Sequence, residues 1–89
     1  MKKQEVKLEF DVNCQGSQGD TYRTYLNDEL LSERQWRFTK DYKLTENAPL
    51  KVESGKYTLR IERVEPATGI FTINNIKVNT RDVEATFYI

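Results

Sequence analysis

Residues 6 to 12 read Val-Lys-Leu-Glu-Phe-Asp-Val, an apolar side chain at every second position with a charged one between. A strand repeats every two residues and a helix every 3.6, so this rhythm yields one oily and one wet face only in an extended chain. The same alternation governs "TYRTYLN", where Tyr22, Thr24 and Leu26 share a side opposite Arg23 and Tyr25. In "LLSERQWRF" it puts Leu30, Ser32, Arg34, Trp36 and Phe38 on one face if the register is unbroken. "YTLRIERV" sets Tyr57, Leu59 and Ile61 against Arg60 and Glu62, and "VEATFYI" turns Val83, Ala85, Phe87 and Ile89 to one side. No stretch sustains a helical period; "NDELLSERQ" is the one place where a short helical turn competes.

Turn signals separate these runs. "CQGSQGD" carries two glycines, "NDE" carries Asn and Asp that tolerate left-handed backbone, and "ESGK", "EPATG" and "NTRD" follow. Pro49 interrupts "YKLTENAPLKV". Without an amide hydrogen it confines that segment to a sheet edge, a bulge or a switch between sheets. In "IFTINNIKVN", Phe71 and Ile73 belong to one alternating set and Ile76 and Val78 to the other. An extra residue at Asn74-Asn75, a β-bulge, keeps all four on the core side. Seven to eight short strands with turns every eight to twelve residues predict an all-β fold. The expected architecture is an antiparallel two-sheet β-sandwich, jelly-roll or Ig-like, with residues 1–89 as a single domain that reads as a complete small gene product.

The chain has 89 residues, of which 37% are hydrophobic and 31% charged, so the expected core is thin. A domain of this size buries only roughly 60–65% of its unfolded surface. Burying more of it against a protein partner or a second copy adds stability by mass action. Fourteen basic residues balance fourteen acidic ones, and the longest basic run is Lys2-Lys3, which argues against nucleic acid as partner. "MKKQEVKLEF" opens like a signal peptide but has no apolar run behind its lysines, and no segment has the length of a membrane span.

The chain contains no histidine, and its one cysteine, Cys14, has no evident base, so the expectation is a non-enzyme. Cys14 reads as a small half-buried thiol at a strand end. Zinc lacks its nitrogen and sulfur ligands. Loops with Asp20, Asp28, Glu29, Asn79 and Asp82 offer oxygens for calcium, but no spacing matches a dedicated calcium loop, and no cofactor is expected. The candidate binding residues are Tyr25, Tyr42, Trp36 and Pro49. Trp36 has two readings. It fills the middle of a thin core, which is preferred because few other side chains are large enough, or it joins Tyr25 and Tyr42 in an outward aromatic platform.

The runs "YLNDELL", "APLKVESGKYTLRIERV" and "FTINNIKVN" carry a resemblance across roughly residues 20 to 80. They are similar to non-catalytic carbohydrate-binding modules of jelly-roll type, and to short stand-alone β-sandwich proteins of tailed bacteriophages, some attached to virions as capsid decorations. The carbohydrate-binding modules usually sit in longer secreted enzymes, and this chain has neither signal nor linker. The resemblance therefore implies a virion accessory, a capsid decoration or cement protein located on the virion or in the host cytoplasm. It would act through sheet edges, the Pro49 segment and the "CQGSQGD" loop. A carbohydrate-binding module, with calcium as an option, and a small binder of a host protein are the alternatives.

Overall fold

The computed structural model describes residues 3–15, 19–38, 42–65 and 69–89. Its eight strands are β1 (Gln4–Gln15), β2 (Thr21–Leu26), β3 (Glu29–Gln35), β4 (Lys43–Val52), β5 (Lys56–Val64), β6 (Ile70–Val78), β7 (Arg81–Asp82) and β8 (Thr86–Tyr88). They form two four-stranded sheets, ordered β4-β1-β6-β7 and β3-β2-β5-β8, with antiparallel neighbours throughout. The architecture is the expected all-β sandwich. Among the described residues no helix is long and apolar enough to cross a membrane.

β1 is the axis of the first sheet. Its inward residues Val6, Leu8, Phe10, Val12 and Cys14 are all buried, and it is paired to β4 on one flank and β6 on the other. Cys14, expected half-buried, is fully enclosed; burial and the nearby charge of Asp20 push its thiol pKa up. The slip in β6 is the predicted bulge. Glu9 pairs with Lys77 and Asp11 with Asn74, so Asn75 and Ile76 together face Phe10. Asn75 takes the left-handed backbone this requires (φ 52°) and donates from Nδ2 to Asp11 Oδ2 at 2.8 Å. The extra residue keeps Phe71, Ile73, Ile76 and Val78 packed on one core.

The second sheet holds two departures. A bulge at Leu31 sets Leu30 opposite Tyr25 on the outer face, 51% exposed, while Leu31 packs against the core. Leu30 is therefore not in phase with Ser32, Arg34 and Trp36, because the adjacent leucine takes its inward place. At the C-terminus β8 is only Thr86–Tyr88, and Ala85 is exposed where alternation had put it inside. Its carbonyl instead accepts from Leu59 N at 2.8 Å as the chain passes from β7 to β8. The "NDE" turn is as expected: Asn27 is left-handed (φ 55°) and exchanges two bonds with Thr58 on β5. The middle of "CQGSQGD" (residues 16–18) and the middle of "EPATG" (66–68) lie outside the described residues.

Asn79 and Thr80 form the β6–β7 turn, both at positive φ (51° and 69°). A two-residue hairpin favours that geometry, but a β-branched side chain pays for it sterically. Thr80→Gly removes the Cβ clash and is expected to stabilise the protein by about 0.5–1 kcal/mol net of glycine's chain entropy. Urea unfolding of the two proteins measures it; a destabilised variant contradicts the assignment of strain to Thr80.

Candidate functional site at the β3–β4 side

β4 and β3 are the outer strands of their sheets, and an ion pair joins them across the sandwich. The inward series of β4 is Leu44, Glu46, Ala48, Leu50 and Val52, so Glu46 stands where alternation puts an apolar residue. It is 6% exposed. Its Oε1 accepts from Arg34 Nε at 2.8 Å and its Oε2 from the Tyr22 hydroxyl at 2.9 Å. Burial and the Glu46 charge push the Tyr22 hydroxyl pKa far up, so it stays a proton donor. Its hydrogen bond to Glu46 and that residue's charge hold Arg34 more firmly protonated than usual. Beside this network the Thr24 and Ser32 hydroxyls bond at 2.6 Å. A buried carboxylate with a guanidinium and a phenol on separate oxygens keeps its charge satisfied away from water.

A cleft of about 370 Å³ opens here, its lining including apolar Phe10, Leu31, Ala48 and Leu50 and polar Arg34 and Glu46. The backbone at its rim is guarded. Asn79 N donates to the Lys7 carbonyl, and Lys7 N donates to Asn79 Oδ1, so the Lys7 peptide groups face β6. Pro49, the partner of Lys7 on β4, then turns its backbone nitrogen to the free edge, where the missing hydrogen leaves no bond unmade. Lys43 and Lys51 flank it, and proline with lysines is how an edge discourages unplanned pairing.

The four candidate residues occupy three separate places. Pro49 is at this edge, as one of its three expected positions. Trp36 is wholly buried, with ring centroids of Tyr22, Phe38, Phe71 and Tyr42 at 5.1 to 6.3 Å. This is the preferred, inward reading of Trp36, and it removes Trp36 from the candidate binding residues: the thin core has taken the largest side chain available. Tyr42 is 43% exposed at the same end and stacks on Phe38, 4.2 Å between centroids and 15° between planes. Tyr25 lies on the outer face of the second sheet, its ring covered by the Arg60 guanidinium at 4.2 Å. The calcium candidates are also dispersed, since Asp20 lies before the start of β2 and Asp28 and Glu29 beyond its far end. Asp20 Oδ2 accepts from Gly69 N at 2.6 Å. Sequence reasoning did not single out Glu46 or Arg34 as a site, although Glu46 is in phase with inward apolar neighbours, which marks a charge facing the core that needs a partner; Arg34, half exposed at the sandwich edge, is that partner.

No family model matches the chain, and no curated protein or solved structure matches it either.

Two outcomes test this electrostatic account. Tyr22→Phe strips one donor from a buried carboxylate and is expected to cost about 1–3 kcal/mol in urea unfolding; a neutral effect contradicts the bond. The second concerns Asp11. Burial raises its pKa, but hydrogen bonds from Thr45 Oγ1 (2.6 Å) and Asn75 Nδ2, with the charge of Lys43, outweigh that and hold the carboxyl below its ordinary value of 3.8. Below that ordinary value the unfolded chain binds the proton first. The stability Asp11 adds is therefore full above it and lost as pH falls through the folded value. Asp11→Asn should be less stable than the parent at neutral pH, with the gap closing in acid. A gap independent of pH contradicts the ionised, bonded carboxylate.

Proposed function

We propose that the protein is a non-enzymatic β-sandwich working by surface and strand-edge contact, as a decoration or cement protein on the capsid of a tailed bacteriophage. The observation that carries the reading is how the buried polar side chains are used. Glu46 holds Tyr22 and Arg34, Asp11 holds Thr45 and Asn75, and Thr24 holds Ser32. These groups fasten strand to strand, which leaves the work of recognition to outer faces and edges. The resemblance across residues 20 to 80 supplies the virion setting, and the two-sheet sandwich is the fold that resemblance implies.

A second reading, carbohydrate recognition, is favoured by one observation: Tyr42 offers a part-exposed ring held rigid by its stack on Phe38, the form a sugar-stacking residue takes. Co-sedimentation with purified capsids of the encoding phage separates the two. The virion reading expects saturable capsid binding and no response of Trp36 fluorescence to soluble polysaccharides. Failure to bind capsids contradicts it, and polysaccharide retardation abolished by Tyr42→Ala would put the sugar reading in its place.

A further inference from the structure

The side of the sandwich opposite the Arg34–Glu46 pair is unfinished. β7 covers only Lys77 and Val78 of β6, and β8 covers only Lys56 to Thr58 of β5, with one further bond from Leu59 to Ala85. Residues 60–64 of β5 and 70–75 of β6 thus have no strand on that flank among the described residues. A groove of about 310 Å³ lies between them, lined by Ile61, Arg63, Ile70 and Phe71. Ile70 is 62% exposed.

Alternation says which peptide groups are free. On β1 the odd residues face β6, so their partners Ile70, Thr72 and Asn74 bond inward and Phe71 and Ile73 turn their amides and carbonyls outward. The change of phase at Asn75 agrees, since beyond it Ile76 O faces outward and accepts from Val83 N at 2.9 Å.

The edges differ in charge, and that selects the occupant. Antiparallel self-pairing about a two-fold axis brings a strand beside its own copy, so charges on the edge repel themselves. On β4, a pairing centred on Asn47 would set Lys43 against Lys51 and waste the donor missing at Pro49. The free part of β5, Arg-Ile-Glu-Arg-Val, is charged at three of five positions. Residues 70–76 of β6, Ile-Phe-Thr-Ile-Asn-Asn-Ile, carry no charge, no proline and no glycine, the composition of a segment that pairs with itself. The whole chain has a formal net charge of zero, so copies meet without long-range repulsion.

We propose that this edge of β6 is a dimer seam. Residues 70–74 pair antiparallel with the same residues of a second copy about an axis at Thr72, so that the outward peptide groups of Phe71 in each copy meet those of Ile73 in the other, joining the two four-stranded sheets across this seam. This rests on the contact-protein reading above and names the edge and the partner it uses.

Sedimentation velocity from micromolar to millimolar protein tests it. The parent should approach twice the monomer mass, and the amides of Phe71 and Ile73 should gain hydrogen-exchange protection as concentration rises. Thr72→Lys, exposed and near the axis, should return the protein to monomer with its circular dichroism and Trp36 emission unchanged. Ile70→Lys serves if that variant fails to fold, and Asn47→Lys on β4 should leave the dimer intact. A parent that stays monomeric throughout overturns the seam, as does a dimer that survives both β6 substitutions or is lost with Asn47→Lys. Capsid co-sedimentation is read separately, so a monomer that still binds capsids removes the seam and keeps the contact function.

Discussion

The fold depends on keeping one strand in phase with another. β1 presents five consecutive inward side chains to the core, and each must meet apolar partners from both flanking strands and from the opposite sheet. On β4 this follows from plain alternation. On β6 it requires an extra residue, because a slip of one position would turn Ile76 and Val78 to solvent. Asn75 absorbs that residue in a left-handed backbone, and its amide ties the bulge to Asp11 on the central strand. Asp11 is itself held on the other side by Thr45 of β4, so one carboxylate links three adjacent strands.

The two open sides of the sandwich are treated differently by the sequence. Between β3 and β4 the interior is polar and closed by Glu46, Arg34 and Tyr22, while the rim carries proline and lysine. A buried charge of this kind is a weak source of stability but costly to leave half-paired, so it penalises alternative pairings of the two edges. Between β5 and β6 the short β7 and β8 leave residues 70–75 of β6, uncharged and β-prone, without a neighbouring strand among the described residues, beside the charged free part of β5. One side is defended against association and the other is not, and a thin-cored domain gains most by burying the second.

Much of the fold was legible because period-two alternation is a direct record of burial. The strands, the turns at Asn27 and Asn79, the edge position of Pro49 and the bulge at Asn75 all follow from it. Leu30 and Ala85 failed for different reasons: the apolar pair Leu30-Leu31 lets a bulge exchange which leucine faces in, and Ala85 falls before the start of β8, where strand alternation does not apply. The site was less legible. Arg34 was placed on the Trp36 face, but Glu46, in phase with Leu44, Ala48 and Leu50, was not singled out, and the ion pair between them joins two different sheets. Tyr25, Tyr42 and Trp36 were linked by chemistry, but their union depended on sheet assignment, which no local pattern encodes.

The most direct test of this phase account compares two single-residue deletions. Removing Asn75 leaves Phe71, Ile73, Ile76 and Val78 in strict alternation, so the bulge vanishes while the core set is kept. Removing Lys77 instead makes Ile76 and Val78 neighbours and forces one of them outward. Thermal unfolding should show a cooperative, folded protein for the Asn75 deletion, weakened only by the lost bond to Asp11, and a collapsed transition for the Lys77 deletion. Equal loss from both, or the reverse order, contradicts the claim that the phase of β6 against β1 holds this sandwich together.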